Sequence, residues 1–236
     1  MFHLSIHNYI QALKNVENKT EAIKIIDAIA QELGFEYFSY GFKPHLPINK
    51  PKFELVNSYP VEWVEKYNNN NYFLYDPTVL HGLKSTKPLV WDLNNSAEHG
   101  ELWKEACAYG IEIGWSQSVH SPAGVSMLTL SRSDNPITSI EIEQKIPLLT
   151  WVVQIVNEKM DTLINRQEKE SNTVELTSRE VEVMKWSAEG KTSSEVSMIL
   201  GISERTVTFH LTNVMKKLDA NNKISATVKA VLLGLI

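Results

Sequence analysis

The sequence has a single cysteine and no long apolar segment. Cys107 is the only cysteine among 236 residues, so no disulfide can form within the chain. No apolar run approaches the length of about 18 residues that a membrane-spanning helix needs. The N-terminal region also lacks the apolar core of a secretory signal peptide. These absences predict a cytoplasmic protein with no membrane partner.

Patterns that mark common enzymes are missing as well. The chain contains no G-x-S-x-G, H-E-x-x-H or phosphate-loop motif, and its central histidines are scattered in sequence. His3 and His7 stand four residues apart, but no carboxylate accompanies them, so we expect no metal site. The sequence therefore predicts a protein that is not an enzyme and needs neither a metal nor a cofactor.

Positive charge is scarce and unevenly placed. The net charge of the chain is −5, with −6 in residues 1–171 and +1 in residues 172–236. In the second part the cations concentrate at Arg205, Lys216, Lys217 and Lys223. Binding of nucleic acid through overall charge is excluded, so any DNA affinity would depend on pairing two such C-terminal regions.

Length and patterning predict two domains. The polar, unpatterned residues 166–175 are expected to be a linker between a domain at 1–165 and a smaller domain at 176–236. In the first domain we expect short strands at 35–42, 52–59, 87–91, 113–120 and 125–131, the last two forming a hairpin. Amphipathic helices are expected at 4–17, 20–33, 98–109 and 138–164, with shorter ones starting at Pro60 and Asp76. This order predicts an N-terminal α/β/α sandwich with an antiparallel sheet, followed by an all-α domain.

The segment from Ser203 to Leu218 predicts a helix with two different faces. Ser203 is a suitable N-cap, and the last turn is basic. Five apolar residues fall on one side of the helical wheel: Val207, Leu211, Val214, Met215 and Leu218. The opposite side carries Arg205, Thr208, Phe209, Thr212 and Lys216, a mixture of cations, hydroxyls and one aromatic ring. Such a face suits contacts with phosphates and base edges.

Two shorter helices precede it, each with a capping box. These boxes pair Thr177 with Glu180 and Thr192 with Glu195, and Gly201 supplies the turn before the basic helix. A short helix, a turn with glycine and a longer basic helix follow the order of a helix-turn-helix motif. The order alone also fits an ordinary helical bundle.

The stretch LTSREVEVMKWSAEGKTSSEVSMILGISERTVTFHLTNVMKKLDANNKISA resembles the DNA-binding module of the LuxR family of transcription regulators. Signature positions of that family are occupied by Glu180, Gly190, Lys191, Val207, His210, Lys217 and Leu218. Met184 stands where a leucine is usual, an exchange that a core tolerates. The resemblance implies binding to double-stranded operator DNA as a dimer. We expect the DNA contacts from Lys191, Thr192, Arg205, Thr208, Phe209, Thr212 and Lys216.

Aromatic and polar residues between Tyr59 and Trp91 suggest a ligand site. Taken singly, each could belong to a core or a helix cap. The spacing W-x3-Y-x8-D-P over Trp63, Tyr67 and Asp76, with Trp91 and Gly114 later, resembles the autoinducer-binding domain of the same family. That resemblance implies an N-acyl-homoserine lactone as the ligand.

The resemblance also implies a role for each residue. Trp63 would donate to the lactone carbonyl, and Asp76 would accept from the ligand amide. Trp91 would close over the lactone ring. The acyl carbonyl or a 3-oxo group would be held by Tyr67, Tyr59, Ser39 and Thr129.

Two alternatives concern the sensing domain. A phosphorylation-controlled receiver needs an early acidic pair, a central aspartate and a later lysine at strand ends, and residues 1–130 lack that order. A relative that answers to another small molecule, such as a pyrone, would keep the same architecture and stays open.

Surplus apolar surface predicts a homodimer. It occurs on the long helix at Leu148, Trp151, Val152 and Ile155, and on the last helix at Ile224, Val228, Val231, Leu232 and Leu235. Burial within one domain would explain the first group equally well.

Overall fold

The fold is built on a five-stranded sheet followed by a bundle of four helices. The computed structural model describes residues 2–49, 51–93, 100–169 and 174–236. By contact density the chain divides into one unit of Met1–Pro44 and Lys50–Arg166 and a second of His45–Asn49 and Gln167–Ile236. The described strands are β1 (Tyr37–Pro44), β2 (Glu54–Asn57), β3 (Leu89–Asp92), β4 (Ile113–Ser121) and β5 (Gly124–Arg132). The helices that begin in the first unit are α1 (Phe2–Asn15), α2 (Lys19–Glu32), α3 (Val61–Asn69), α4 (Pro77–Gly82), α5 (Glu101–Cys107) and α6 (Ser139–Lys169), with a 3-10 turn at Tyr72–Leu74.

All strand pairs are antiparallel, in the order β2-β1-β5-β4-β3. The predicted hairpin is confirmed as β4 and β5, which pair from Ile113 with Arg132 to Ser121 with Gly124. β1 begins at Tyr37, two residues later than predicted, because the backbone of Phe35 instead bonds the C-terminal turn of α2. The sandwich with an antiparallel sheet is thus confirmed.

The two faces of this sheet have different functions. Large apolar side chains on one face, among them Phe38, Tyr40, Trp115, Leu128 and Leu130, pack against α1, α2 and α6 to form the main core. Since side chains alternate along a strand, the intervening residues point to the other face, which α3, α4 and α5 cover. Several of these intervening residues are small or polar, among them Ser39, Gly41, Ser118 and Thr129, and a cavity remains on this face.

Local signals explain how α3 and α4 are placed on that face. Pro60 is the N-cap residue of α3 and not its first helical residue, so the helix begins at Val61, one residue later than predicted. Asn71 has a left-handed backbone with φ of 52° and separates α3 from the 3-10 turn. Asp76 is the N-cap of α4, as predicted, and Pro77 occupies the first helical position.

The long helix α6 starts at Ser139 and contains Pro147 within it. It extends to Lys169, inside the segment 166–175 that was predicted as a linker. The bounds of the two domains, 1–165 and 176–236, stay a prediction. The predicted helix at 98–109 is found as α5, whose described part begins at Glu101; residues 98 and 99 lie outside the described residues.

The second unit contains α7 (Ser178–Ala188), α8 (Ser193–Leu200), α9 (Glu204–Lys217) and α10 (Lys223–Leu232). Both predicted capping boxes are present, and Gly201 ends α8 in a left-handed conformation with φ of 64°. Its core is formed mainly by Val183, Met184, Val196, Val207 and Val214. The all-α C-terminal domain is thus confirmed.

No helix among the described residues is both long enough and apolar enough to cross a membrane. In the same part of the chain, no three histidine, cysteine or acidic side chains gather as a metal site would require.

Candidate functional site: a cavity in the first unit and an exposed helix face in the second

A cavity of about 240 Å³ lies between the sheet and α3, α4 and α5. All seven residues predicted to bind a ligand line it: Ser39, Tyr59, Trp63, Tyr67, Asp76, Trp91 and Thr129. They come from β1, β3, β5, α3 and the turns flanking α3 and α4, so the fold gathers residues up to 90 positions apart in sequence. The rest of the wall is mostly apolar, which is typical of small-molecule sites.

Asp76 is the most constrained polar group of the cavity wall. It is 7% exposed, and its Oδ1 accepts hydrogen bonds from the Thr78 backbone N–H at 2.8 Å and the Thr78 hydroxyl at 2.7 Å. Its Oδ2 accepts from the Tyr67 hydroxyl at 2.9 Å. No cation of the described chain pairs with this carboxylate.

The environment changes the protonation of this pair. Burial raises the pKa of Asp76, although the hydrogen bonds from Thr78 and Tyr67 oppose that effect. Burial also raises the pKa of Tyr67, and the neighbouring Asp76 charge raises it further, so Tyr67 is a neutral donor. A buried carboxylate without a counter-charge is a strong acceptor for one more N–H group.

Trp63 lies in an aromatic cluster next to Asp76. It is 4% exposed, and its ring centroid is 5.8 Å from that of Tyr67, 6.0 Å from Tyr72 and 5.6 Å from Tyr109. These contacts fix the plane of the indole. Among the described residues, none accepts a hydrogen bond from its N–H, so this donor is free to bind a ligand carbonyl.

Trp91 is held flat against the sheet by its neighbours. Its indole N–H donates to the Ser116 hydroxyl at 3.0 Å, and Ser116 bonds the Thr129 hydroxyl at 3.0 Å. A Cβ at Gly114 would lie 2.1 Å from Cζ2 of Trp91, so only glycine at this position lets the ring lie there. The glycine noted in the sequence is explained by this close approach.

A row of hydroxyl groups crosses the cavity face of the sheet. Ser39 pairs with Thr129, and Thr129 pairs with Ser116, so the three lie side by side on adjacent strands. One step along the strands, the Ser131 hydroxyl donates to the Tyr59 hydroxyl at 3.4 Å. This row supplies donors and acceptors at one level of an otherwise apolar wall.

Sequence reasoning missed several residues at the cavity. Among them, Thr78, Trp103 and Ser118 line it, and Ser116 accepts a hydrogen bond from the Trp91 indole N–H. The two serines could have been found, because alternation along β4 places Ser116 and Ser118 on the same face as Gly114. Trp103 carried no such signal, because its place in the wall depends on how α5 packs on the sheet.

The second unit presents α9 with the two faces that the helical wheel predicts. Val207, Leu211, Val214 and Leu218 are buried, whereas Phe209 is 60% exposed. Arg205, Thr208 and Lys216 are exposed as well, and Thr212 is half-buried. The hydroxyls of Thr208 and Thr212 donate to carbonyls one turn earlier, so they still offer acceptor lone pairs and methyl groups to a partner.

An ion pair fixes α9 to α7. Lys217 contacts the buried carboxylate of Glu180 at 2.7 Å and donates to the Glu175 carbonyl at 2.9 Å. Burial alone would raise the pKa of Glu180, but the hydrogen bonds from Lys217 and Thr177 outweigh it and hold the pKa below its usual value. Two of the signature residues are therefore structural, and they orient the exposed face of α9.

The other two predicted DNA contacts have different environments. Lys191 is half-buried just before α8. The Thr192 hydroxyl accepts from the Glu195 backbone N–H and donates to the Glu195 carboxylate at 2.8 Å. Its side chain therefore caps α8, and a DNA contact from Thr192 stays a prediction.

The residues predicted to form a dimer interface are partly exposed. Trp151 on α6 is 40% exposed, whereas Val152 beside it is 1% exposed and belongs to the core. On α10, Ile224 is 77% and Val231 52% exposed. The long helix and α10 each retain apolar surface that its own unit does not cover.

Comparisons with known proteins match both units. An autoinducer-binding domain model matches residues 18–160, and a model of bacterial regulatory proteins of the luxR family matches residues 174–230. The transcriptional activator protein AnoR of Acinetobacter nosocomialis is 40% identical over 230 residues, covering 96% of this chain and 97% of AnoR.

Solved structures agree with the sequence matches. A crystal structure of Escherichia coli SdiA has a TM-score of 0.75 and 32% identity, covering 100% of this chain and 99% of SdiA. A structure of SdiA in complex with octanoyl-rac-glycerol has a TM-score of 0.74 and 30% identity, covering 99% and 96% of the two chains.

Proposed function

Because the chain belongs to the LuxR family of autoinducer-binding transcription regulators, we propose that its signal is an N-acyl-homoserine lactone and that it binds operator DNA as a homodimer. The lactone domain would comprise residues 1–165 and the helix-turn-helix domain residues 176–236, joined by residues 166–175. The cytoplasm is the expected location. One observation carries the proposal: a single cavity combines an acceptor at Asp76 with a donor at Trp63 in an apolar wall.

The chemistry of the lactone matches this wall. Its amide N–H needs a buried acceptor, which the second lone pair of Asp76 Oδ2 supplies beside Tyr67. Its ring carbonyl needs a donor, which Trp63 supplies. The flat Trp91 ring covers the lactone, and the acyl carbonyl or a 3-oxo group lies within the hydroxyl groups of Tyr67, Tyr59, Ser39 and Thr129.

Ligand binding would complete the core of the first domain. Without ligand, the cavity holds an uncompensated carboxylate and unfilled apolar surface, both of which destabilise a fold. A ligand that binds only the folded state raises the free energy of unfolding by mass action. The stabilised domain would then pair through α6, which brings two helix-turn-helix domains together.

The paired domains would read two DNA half-sites. In helix-turn-helix dimers the recognition helices enter the major groove about one DNA turn apart. Phe209, Thr208 and Thr212 lie at the centre of the exposed face of α9 and would contact base edges. Arg205 and Lys216 lie towards its ends and would contact phosphates, with Lys191 and Thr192 at the start of α8.

A second class of signal is favoured by one observation. Ser39, Thr129 and Ser116 form a row of hydroxyls that could bond a polyhydroxyl head group as well as an acyl carbonyl, and the related SdiA is solved with octanoyl-rac-glycerol. A monoacylglycerol, or another non-lactone molecule such as a pyrone, is therefore the alternative ligand.

Thermal unfolding of the purified chain tests the proposal. It would be measured with acyl-homoserine lactones from C4 to C14, with and without a 3-oxo group, and with octanoylglycerol. A lactone at a hundredfold excess over its Kd adds about 2.7 kcal/mol, which raises the melting temperature of a domain of this size by roughly 5–10 °C.

A rise that depends on chain length for lactones supports the lactone as the signal. A rise with octanoylglycerol alone would move the signal to the second class. No rise with any of these compounds would contradict both ligand assignments.

A further inference from the structure

Ser118 is the polar residue of the cavity wall whose hydroxyl has no hydrogen-bond partner. It is 2% exposed, and its Oγ is fully enclosed. Among the described residues, the indole nitrogen of Trp115 and Nε of Arg132 are also buried without a partner, but neither residue lines the cavity. A buried hydroxyl without a partner is costly, and native proteins contain few of them. The function already assigned to the cavity does not use this group.

The hydroxyl lies in a corner formed with Gly82 and Met127. Gly82 ends α4, and Met127 pairs with Ser118 across β4 and β5. A Cβ added at Gly82 would lie 2.4 Å from Ser118 Oγ and 2.8 Å from Met127 Sδ. The Gly82 carbonyl already accepts a hydrogen bond from His120 Nε2 at 2.8 Å. The neighbours of the hydroxyl are therefore a glycine Cα and a thioether, and a side chain at position 82 would clash with both. Because Oγ is enclosed, a ligand oxygen reaches it when the flexible Met127 side chain moves aside.

The distance from this corner to the polar end of the cavity at Asp76 and Ser116 can be estimated along α4 and along β4. Gly82 lies six positions after Asp76 along α4, a rise of about 9 Å. On β4, Ser118 is two residues beyond Ser116, or about 7 Å. An extended alkyl chain advances roughly 1.3 Å per carbon for a bond of about 1.5 Å. A tail that starts from an amide at Asp76 and runs beneath α4 therefore reaches Ser118 at about carbon 7.

We propose that the corner of Gly82, Ser118 and Met127 is a second polar subsite, which binds a hydroxyl or keto oxygen on the ligand tail near carbon 7. The inference rests on the proposed function, because it takes the position of the amide from Asp76. A serine hydroxyl can donate or accept, so either oxygen group satisfies it. Val79 and Leu83 line the cavity on the same helix and contact the methylenes on either side.

Displacement of isotopically labelled N-octanoyl-homoserine lactone from the full-length chain tests this subsite. The competitors are unlabelled octanoyl lactone and its analogues hydroxylated at carbon 7 or carbon 5, measured on wild type and on Ser118→Ala. One hydrogen bond corresponds to about a five- to tenfold change in Kd. We expect the ratio of the Kd of the plain lactone to that of the 7-hydroxy lactone to be five- to tenfold larger in wild type than in Ser118→Ala. The same ratio for the 5-hydroxy lactone should not differ between the two proteins.

Equal 7-hydroxy ratios in the two proteins, or an equal effect of Ser118→Ala on the 5-hydroxy analogue, would overturn the subsite and leave the lactone assignment intact. If labelled octanoyl lactone does not bind to wild type although another lactone from C4 to C14 does, the subsite fails and the proposed function stands. If no lactone of that panel binds, the proposed function itself fails, and the subsite with it. Ser118→Ala removes one oxygen without adding volume, and its melting temperature with the plain lactone verifies that it folds.

Discussion

Replacement of Asp76 by asparagine separates its role as a helix cap from its role as a ligand acceptor. Asparagine is as good an N-cap as aspartate, and its side-chain oxygen can keep the hydrogen bonds that Thr78 donates at 2.8 and 2.7 Å. Its NH2 group then replaces Oδ2, to which Tyr67 donates at 2.9 Å. Tyr67 can rotate its hydroxyl and accept a hydrogen bond from this NH2 group. A ligand amide N–H can only donate, so it would lose its acceptor.

The loss of lactone affinity can be estimated, because the side-chain NH2 group of the asparagine would face the ligand amide N–H and both are donors. A hydrogen bond to a charged group contributes about 1.5–3 kcal/mol, and an unsatisfied buried amide costs about 1–3 kcal/mol more. The sum corresponds to a loss of roughly 10²- to 10⁴-fold in Kd. We therefore expect Asp76→Asn to respond to lactone only at concentrations at least a hundredfold higher.

The apo protein should change in the opposite direction. Burial raises the pKa of Asp76, so the ionised carboxylate destabilises the folded state. That destabilisation is absent below the ordinary pKa of aspartate and grows as the pH rises through the raised pKa. Asparagine is neutral, so the apo variant should unfold at the same or a higher temperature than wild type at neutral pH, and the difference should shrink in acid.

Thermal unfolding with and without lactone measures both effects. Asp134→Asn, the same change at an exposed residue, is the matched control and should behave as wild type. If Asp76→Asn keeps the wild-type lactone response, Asp76 is not the amide acceptor. If the apo variant unfolds well below wild type at neutral pH, the carboxylate stabilises the empty domain, and the reasoning about burial is wrong.

Three further predictions concern the cavity, the ion pair and the DNA face. Gly114→Ala should displace Trp91, whose Cζ2 would be 2.1 Å from the new Cβ, and should lower the melting temperature and the lactone affinity in a titration. Lys217→Ala should lower the free energy of unfolding of the helix-turn-helix domain by about 2–3 kcal/mol, less than for a fully buried pair because the lysine is 37% exposed. Since the pKa of Glu180 is lowered in the fold, that difference should be present near neutral pH and vanish as the pH falls through the lowered pKa; a difference that persists in strong acid would contradict the ion pair. Phe209→Ala should change which operator is selected from a random pool, whereas Lys216→Ala should weaken all sequences alike and reduce the salt slope by about one. Identical selections for Phe209→Ala and wild type would exclude this ring from base contacts.

Local signals in the sequence predicted most of the fold. N-caps such as Thr177, Thr192 and Ser203 act through backbone atoms two or three residues away, so their effect is visible in the sequence alone. The same holds for β4 and β5, which are joined by a two-residue connection and have one apolar face. The ends of strands were harder to predict. β1 continues to Pro44 because Pro44 pairs with Gly124 on the neighbouring strand, and no local signal in the sequence indicates that pairing.

The candidate site was predictable only where it resembles a known pattern. Trp63, Tyr67 and Asp76 stand at a fixed spacing, and the structure brings them to one cavity wall. The corner at Ser118 depends on α4 crossing β4 at Gly82, a contact between segments 36 residues apart in sequence. No local pattern encodes such a crossing, because it is set by the packing of the helix on the sheet.

The short helix α4 links the two ends of the proposed ligand. Its first end is fixed by Asp76, whose carboxylate caps the helix and, in the proposed function, would accept from the ligand amide. Its last residue, Gly82, forms the corner with Ser118. A ligand that binds Asp76 therefore also fixes the distance at which its tail meets Ser118. Gly82→Ala should then shift the preferred tail length downwards without changing the head contacts, because the added Cβ, 2.4 Å from the Ser118 oxygen and 2.8 Å from Met127 Sδ, would push the Met127 side chain towards the tail. A panel of lactones from C4 to C14 measures this, and an unchanged chain-length optimum would show that the tail does not run beneath α4.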